Sequence, residues 1–322
     1  MKTVQFGSTG ETVSEMCLGT MMFGARCDEA ESDRILATAI DLGVNFVDTA
    51  AMYEEGHTEE ILGRILRGRR DRLFLATKVH KGLDGNSIRE SIDESLQRLR
   101  ADYVDLYLIH WPRVGMRPAE VMQALDEVAE LGKARYVGCC NYPAWLLAHS
   151  NAIAERNGWS TLVCNQIPYN ILERGVEVEV LPQAKTEEIA IMTYRPLVRG
   201  LLAGKYVPGQ PLPEDSRGQE DPRFSALLEE YGEAIRSHLK FAQDRGLHPA
   251  QVAISWVRQS PAVTAPIVGI SSPEQLHATA AAFDVDLTAE DYTAISSFFD
   301  TAVKEEAGGP YPGLRRELNL TS

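Results

Sequence analysis

Four residues with acid–base chemistry stand where short apolar runs end. Asp48 closes the run 45–48, and Tyr53 follows it within Thr49-Ala50-Ala51-Met52-Tyr53. Lys78 closes the run 74–78, and His110 follows the run 104–109. Together they suit one reaction. An aldehyde or ketone that accepts a hydride also needs a proton on its oxygen. A tyrosine, with an ordinary pKa of about 10, becomes a usable acid when that value is brought nearer neutrality. A neighbouring ammonium stabilises the phenolate, and a carboxylate keeps that ammonium charged after burial. A histidine can hydrogen-bond the carbonyl oxygen and fix its orientation. Singly, each residue also has an ordinary use: Asp48 as a helix cap, Tyr53 at a rim, Lys78 as a solvated strand-end charge, His110 as a satisfied core histidine. The set at successive run ends is what argues for chemistry.

The elements that must position this set repeat along the chain. Runs of near-continuous apolar character lie at 16–19, 45–48, 74–78, 104–109, 134–139, 162–166, 189–194 and 265–268. Such runs suit parallel strands covered on both faces. Amphipathic segments separate them, among them 32–42, 87–99, 118–131 and 145–157. The third of these starts at Pro118, carries Val121, Leu125 and Val128 at helical spacing, and stops before Gly132. The second to seventh runs begin roughly thirty residues apart, the length of one βα unit. The pattern predicts an α/β fold, a single (β/α)8 TIM barrel over 1–322, with catalytic residues at the C-terminal ends of its strands.

Three pieces fall outside the repeat. Residues 1–15 read as a β-hairpin closing the barrel bottom. Residues 205–225 read as a long loop rich in Pro, Gly and charge. Residues 285–322 read as an extra C-terminal helix and an irregular tail. The loop 205–225 and the tail 301–322 are expected to shape a substrate site.

The chain has 322 residues, 44% hydrophobic and 24% charged, with a formal net charge of −14, so a folded acidic protein is expected, and nucleic acid and anionic membranes are poor partners for it. Its five cysteines (Cys17, Cys27, Cys139, Cys140, Cys164) have no metal-ligand spacing and suggest a reducing compartment. No leader-like or membrane-spanning run is seen, which makes the cytoplasm the expected location. His57 and Glu60 lie three apart without further ligands nearby, so no metal is expected. No dinucleotide glycine fingerprint, phosphate loop or nucleophile elbow is present.

The residues now support a resemblance. Gly43-Val44-Asn45-Phe46-Val47-Asp48-Thr49-Ala50-Ala51-Met52-Tyr53 and Gly56-His57-Thr58-Glu59-Glu60-Ile61-Leu62-Gly63 are similar to a signature of the aldo-keto reductases. Leu75-Ala76-Thr77-Lys78 and Leu106-Tyr107-Leu108-Ile109-His110-Trp111-Pro112 resemble the segments that carry that family's lysine and histidine. The resemblance covers nearly the whole chain. It implies a catalytic tetrad of Asp48, Tyr53, Lys78 and His110, with Tyr53 as proton donor, and a bound NADP or NAD without metal or flavin. Asn141 and Gln166 match the side chains on the nicotinamide amide, and Tyr194 matches the ring beneath the nicotinamide. Gly19, Thr20 and Cys140 flank that site, Cys140 standing where the family has Ser. Arg195, Pro196 and Leu197 lead into the loop expected over the pyrophosphate, with Arg199, Gly200, Leu201, Gly204 and Lys205. Gly269, Ile270, Ser271, Ser272, Gln275 and Thr279 are expected around the adenosine.

The expected function is reduction of a small aldehyde, ketone or sugar. Two alternatives stay open: a dehydrogenase running toward oxidation, and a cofactor-binding, redox-sensing regulatory subunit of a channel. Phe23 and Trp111, at strand exits, are candidates for the substrate pocket with Tyr53 and His110, whereas Trp145 and Trp256 read as core. Oligomeric state is not legible. The segment Gly269-Ile270-Ser271-Ser272-Pro273-Glu274-Gln275-Leu276 lacks the cation that usually meets the 2′-phosphate of NADP, so NADH is expected to serve at least as well as NADPH, unless Arg245 or Arg258 reaches the site.

Overall fold

The barrel strands bury almost every side chain they carry, because one face fills the barrel and the other meets helices. The computed structural model describes residues 1–299 apart from His80, Asp215 and Pro222. The tail 301–322 lies outside the described residues. In chain order, β1 (Thr3–Gln5) and β2 (Thr12–Ser14) form an antiparallel hairpin. Then come β3 (Cys17–Gly19), α1 (Glu29–Asp41), β4 (Phe46–Asp48), α2 (His57–Ile65), β5 (Phe74–Lys78), α3 (Gly85–Leu99), β6 (Val104–Ile109) and α4 (Pro118–Glu130). Next are β7 (Ala134–Cys140), α5 (Ala144–Asn157), β8 (Leu162–Pro168), α6 (Val180–Thr186) and β9 (Ala190–Tyr194). After them follow α7 (Arg217–Glu220), α8 (Arg223–Glu230), α9 (Gly232–Asp244), α10 (Pro249–Arg258), β10 (Ala265–Gly269), α11 (Pro273–Ala280) and α12 (Ala289–Phe298).

Strands β3 to β10 close a parallel barrel in sequence order, and β10 returns to pair with β3 in the register Ile267↔Cys17. This is the (β/α)8 barrel expected from the repeat. The hairpin sits beneath it. Phe6, fully buried, packs on Phe46 and Phe74 with ring centroids 5.6 and 4.9 Å away. Gly7, at φ 55°, lies so close to the chain at Glu188 that a Cβ would meet the Glu188 carbonyl oxygen at 2.6 Å. The interior cluster continues upward through Cys17, Ala76, Leu106, Leu108, Cys164 and Met192. A second, larger cluster fills the space between barrel and helices.

Helix starts follow side-chain caps. Asp28 accepts from the Glu31 amide at the start of α1, and Asp84 accepts from the Ser87 amide at the start of α3. Both helices therefore begin earlier than their apolar spacing indicates. Two expectations are corrected. Trp145 is 59% exposed, because the buried face of α5 is carried by Leu146, Leu147, Ser150 and Ala154. Trp256 is buried as expected, stacked on Tyr292 and bonded through its indole N–H to Ser296. The segment 205–225 is not wholly loop, since α7 lies within it and α8 begins there. It is anchored by Tyr206, fully buried, whose hydroxyl accepts from the Gly218 amide at 3.0 Å and whose ring packs on Phe224.

Candidate active site

Lysine is the least expected residue in a barrel interior, and Lys78 is completely buried there. Its ammonium makes three contacts, one for each hydrogen. Nζ donates to Asp48 Oδ2 at 2.7 Å, to the Thr49 carbonyl at 2.7 Å and to the Tyr53 hydroxyl at 3.2 Å. The other Asp48 oxygen accepts from Gln166 Nε2 at 2.8 Å. Both carboxylate oxygens are thus held, and Asp48 is itself buried. Parallel pairing levels these groups: Gly19 stands beside Asp48, and Cys140 beside Gln166. Thr20 adds a hydroxyl bond to the Asp48 carbonyl at 3.0 Å.

The electrostatics run in two directions. Burial pulls the Lys78 ammonium down, but Asp48, Tyr53 and Cys140 together hold it well above its usual value. Burial is the largest influence on Tyr53 and leaves its phenol above 10, while Lys78 pulls the other way by charge and hydrogen bond. The expected lowering by lysine is present as a cause and is outweighed by burial. Cys140, buried beside the site, is pushed up by burial and exists as a thiol.

His110 follows β6 directly, and its ring meets that of Tyr53 edge-on at 6.2 Å. Its carbonyl accepts from Asn141 Nδ2 at 3.1 Å. The Asn141 oxygen accepts from the Tyr194 hydroxyl at 2.7 Å, and Asn141 itself is left-handed at φ 62°. The structure therefore brings Asp48, Tyr53, Lys78, His110, Asn141, Gln166 and Tyr194 to one end of the barrel. Trp111 is half-buried at the same rim. Phe23 is fully buried within the outer core cluster, so of these two aromatic candidates only Trp111 is open to a ligand.

Past β9 the backbone is strained. Arg195, Val198 and Arg199 have φ of 60°, 49° and 57°, and Gly200 follows at 97°. A β-branched residue at positive φ is an outlier, and such strain gathers at ligand-binding loops. Arg199 pairs with Asp221 at 3.0 Å, and Lys205 lies exposed over the Tyr206 ring. Leu201 is buried beneath, and Gly204, at φ 90°, is packed on Pro249. After β10, a Cβ on Gly269 would meet nothing within 4 Å. Ser271 gives its amide and its hydroxyl to Gln275 Oε1, both at 2.8 Å, and Ser272 caps α11. Ile270 and Thr279 are buried below.

These groups fit a nicotinamide dinucleotide: two primary amides and an aromatic ring near the buried lysine, then a strained loop with two cations, then an open glycine and a polar loop. Among the described residues no group of three or more His, Cys, Asp or Glu could hold a metal ion, and His57 instead meets Glu60 at 3.2 Å. No helix of the described residues is long and apolar enough to cross a membrane.

One residue carries a buried charge that apolar patterning does not reveal. Glu59 is completely buried, while its neighbour Glu60 is exposed. Gly63, one helical turn further on, is the usable sign, for it marks a face of α2 in close contact with another element.

The aldo/keto reductase family model matches residues 15–300. The aldo-keto reductase YhdN of Bacillus subtilis is 31% identical, covering 99% of this chain and 100% of its own. The versiconal hemiacetal acetate reductase of Aspergillus parasiticus is 30% identical over 90% of this chain and 95% of its own. A probable voltage-gated potassium channel subunit beta of Oryza sativa is 31% identical over 88% and 92%.

Proposed function

The chain belongs to the aldo/keto reductase family of NAD(P)-dependent oxidoreductases, and we propose that it reduces a small aldehyde, ketone or sugar with Tyr53 as the proton donor. One observation carries this reading: a fully buried ammonium spans a buried carboxylate and a phenol at the barrel rim. The third acceptor is a phenol that stands at the open end of the barrel beside His110, where a carbonyl could reach it.

The bound dinucleotide would supply the hydride for the carbonyl carbon. Asn141, Gln166 and Tyr194 would hold its nicotinamide, Lys205, or Arg199 on leaving Asp221, its pyrophosphate, and the segment 269–279 its adenosine. Tyr53 holds the proton at Oη and passes it to the carbonyl oxygen. Lys78 then faces the phenolate and stabilises it, and Asp48 keeps Lys78 charged and in place. His110 orients the carbonyl oxygen. In the oxidative direction the same phenol acts as the base.

NADH serves at least as well as NADPH on this reading. Arg245 is held by Asp291 at 2.5 Å, and Arg258 is held by Glu15 and Asp286, so both distant arginines are committed elsewhere. Glu274, beside the Ser271–Ser272 turn, is kept below the usual carboxylate range by its own amide and Ser272. An anion there suits a 2′-hydroxyl better than a 2′-phosphate.

The test is steady-state turnover of a panel of aldehydes, ketones and sugars, in both directions, with NADH and NADPH. Rapid reduction of at least one carbonyl class is expected. Tight cofactor binding with no turnover on any member would overturn the enzymatic reading in favour of a regulatory subunit like the plant relative.

A further inference from the structure

The turn that carries Tyr53 into α2 is strained. Glu54 and Glu55 have φ of 45° and 55°, and Gly56 follows at 97°. Three consecutive left-handed residues, two of them with side chains, persist only where neighbours hold them.

The neighbour is Arg98. A Cβ on Gly56 would lie 2.9 Å from Arg98 Cδ, so the turn rests directly on that side chain. Further along α2, a Cβ on Gly63 would lie 2.2 Å from the Arg98 carbonyl oxygen, so α2 lies against the end of α3. Arg98 Nε then donates to Glu59 Oε2 at 2.7 Å. Glu59 is 0% exposed, and its second oxygen accepts from the Thr77 hydroxyl at 2.6 Å. Thr77 immediately precedes Lys78 on β5.

A carboxylate wholly removed from water is costly unless every lone pair has a use, and a salt bridge in such a place is weak support for stability by itself. Here its two oxygens join the two elements whose side chains must meet. One bond runs to the strand of Lys78, and the other runs through Arg98 to the turn of Tyr53.

We propose that Glu59, acting with Arg98, is a positioning residue that fixes the Tyr53 hydroxyl against Lys78. This rests on the reading of Tyr53 as proton donor, and the experiment separates the two. Glu59→Gln keeps the size and the bond to Thr77 but takes the charge from Arg98. Turnover of 4-nitrobenzaldehyde is measured in the full chain beside Tyr53→Phe, together with NADH and NADPH affinity from quenching of protein fluorescence. A displaced proton donor should lower kcat by about 10- to 100-fold. Cofactor affinity should not change, because Glu59 bonds Thr77 and Arg98 and none of the dinucleotide residues. The alkaline limb of the kcat–pH profile should also move to higher pH, since Lys78, Asp48, Cys140 and the His110 ring face Tyr53, Lys78 holds its pKa down, and only the Lys78 contact is loosened. Thr77→Val is the second variant, sparing Arg98 and serving if Glu59→Gln does not fold. It should show the same split between kcat and cofactor affinity, and Arg98→Lys should fall between it and wild type. A lower melting temperature with kcat and pH profile unchanged, while Tyr53→Phe is inactive, overturns the positioning role alone. Full activity in Tyr53→Phe overturns the reading beneath it.

Discussion

The barrel holds a buried carboxylate at each end, and the two are used differently. At the N-terminal end, Asp105 accepts from Arg70 at 2.8 Å, from Arg135 at 3.0 Å and from the Leu75 amide at 2.9 Å. Arg135 continues to Glu11 of the hairpin. Two guanidiniums and a backbone amide take up the carboxylate, and the cluster ties strands to the plug. At the C-terminal end, Asp48 is paired with a lysine whose third hydrogen is spent on a phenol. Lysine is a point charge that can face a group in either protonation state. The same carboxylate is a fastener beside guanidinium and, in the function proposed above, part of an acid–base site beside ammonium. The choice of cation, more than burial, separates the two ends.

The contrast can be broken most sharply at Tyr53. Tyr53→Phe removes only a hydroxyl, and kcat for reduction should fall by about 10²–10⁴-fold while cofactor affinity holds. Near-normal turnover would make the top cluster as structural as the bottom one. Lys78→Met comes next. Reduction needs the protonated phenol, so the wild-type rate should stay level through neutrality and fall as pH rises past the phenol's pKa, which burial places above 10. Lys78 is the influence holding that value down. Its removal should slow turnover and carry the fall to still higher pH. An unmoved profile would mean that Lys78 does not act on Tyr53.

At the other end, Asp105→Ala should cost stability and spare chemistry. Breaking a buried pair costs about 3–5 kcal/mol. The lower end applies here, because the Arg135 side chain is 42% exposed and water screens its share. Denaturant unfolding would show the loss, and kcat per folded molecule should be unchanged; a fall in kcat would show that the two ends are coupled. The smallest effect is expected from Ser271→Arg. One charge-assisted bond to a 2′-phosphate should improve NADPH affinity about tenfold and leave NADH alone. A wild-type preference for NADPH above about tenfold in kcat/KM would show that a phosphate-binding cation was missed.

That Asp48, Tyr53, Lys78 and His110 come together was legible because they close or follow runs of strand-like composition. Continuous apolar character at 74–78 and 104–109 fixes where each strand stops, and the fold places the chemistry there. Apolar spacing starts α1 only at Ser32, whereas Asp28 caps it and Glu29 begins it; polar first turns carry no apolar signal. The helices at 217–220 and 223–230 were hidden by Pro, Gly and charge, and depend on Tyr206 and Phe224 packing from a distance. Trp145 shows the limit of composition, since a large aromatic at the second position of a helix can face away from everything. Glu59 shows the opposite limit. Its composition is that of Glu60, and only Gly63, four residues on, hints at the contact of α2 with α3 that sends one inward and the other to water.

Closure of the barrel through β10 on β3 has a consequence during synthesis. The two partners are separated by about 250 residues. At a translation rate of about 5–20 residues per second, the edge of β3 leaves the ribosome roughly 12–50 s before its mate is made. In that interval Cys17-Leu18-Gly19 offers an unpaired backbone edge, and the growing sheet can only curl toward a gap. A nascent chain halted short of Ala265 should therefore bind chaperones that recognise exposed strands, and release them once Gly269 has emerged. Barrel closure in this protein therefore waits on a five-residue strand.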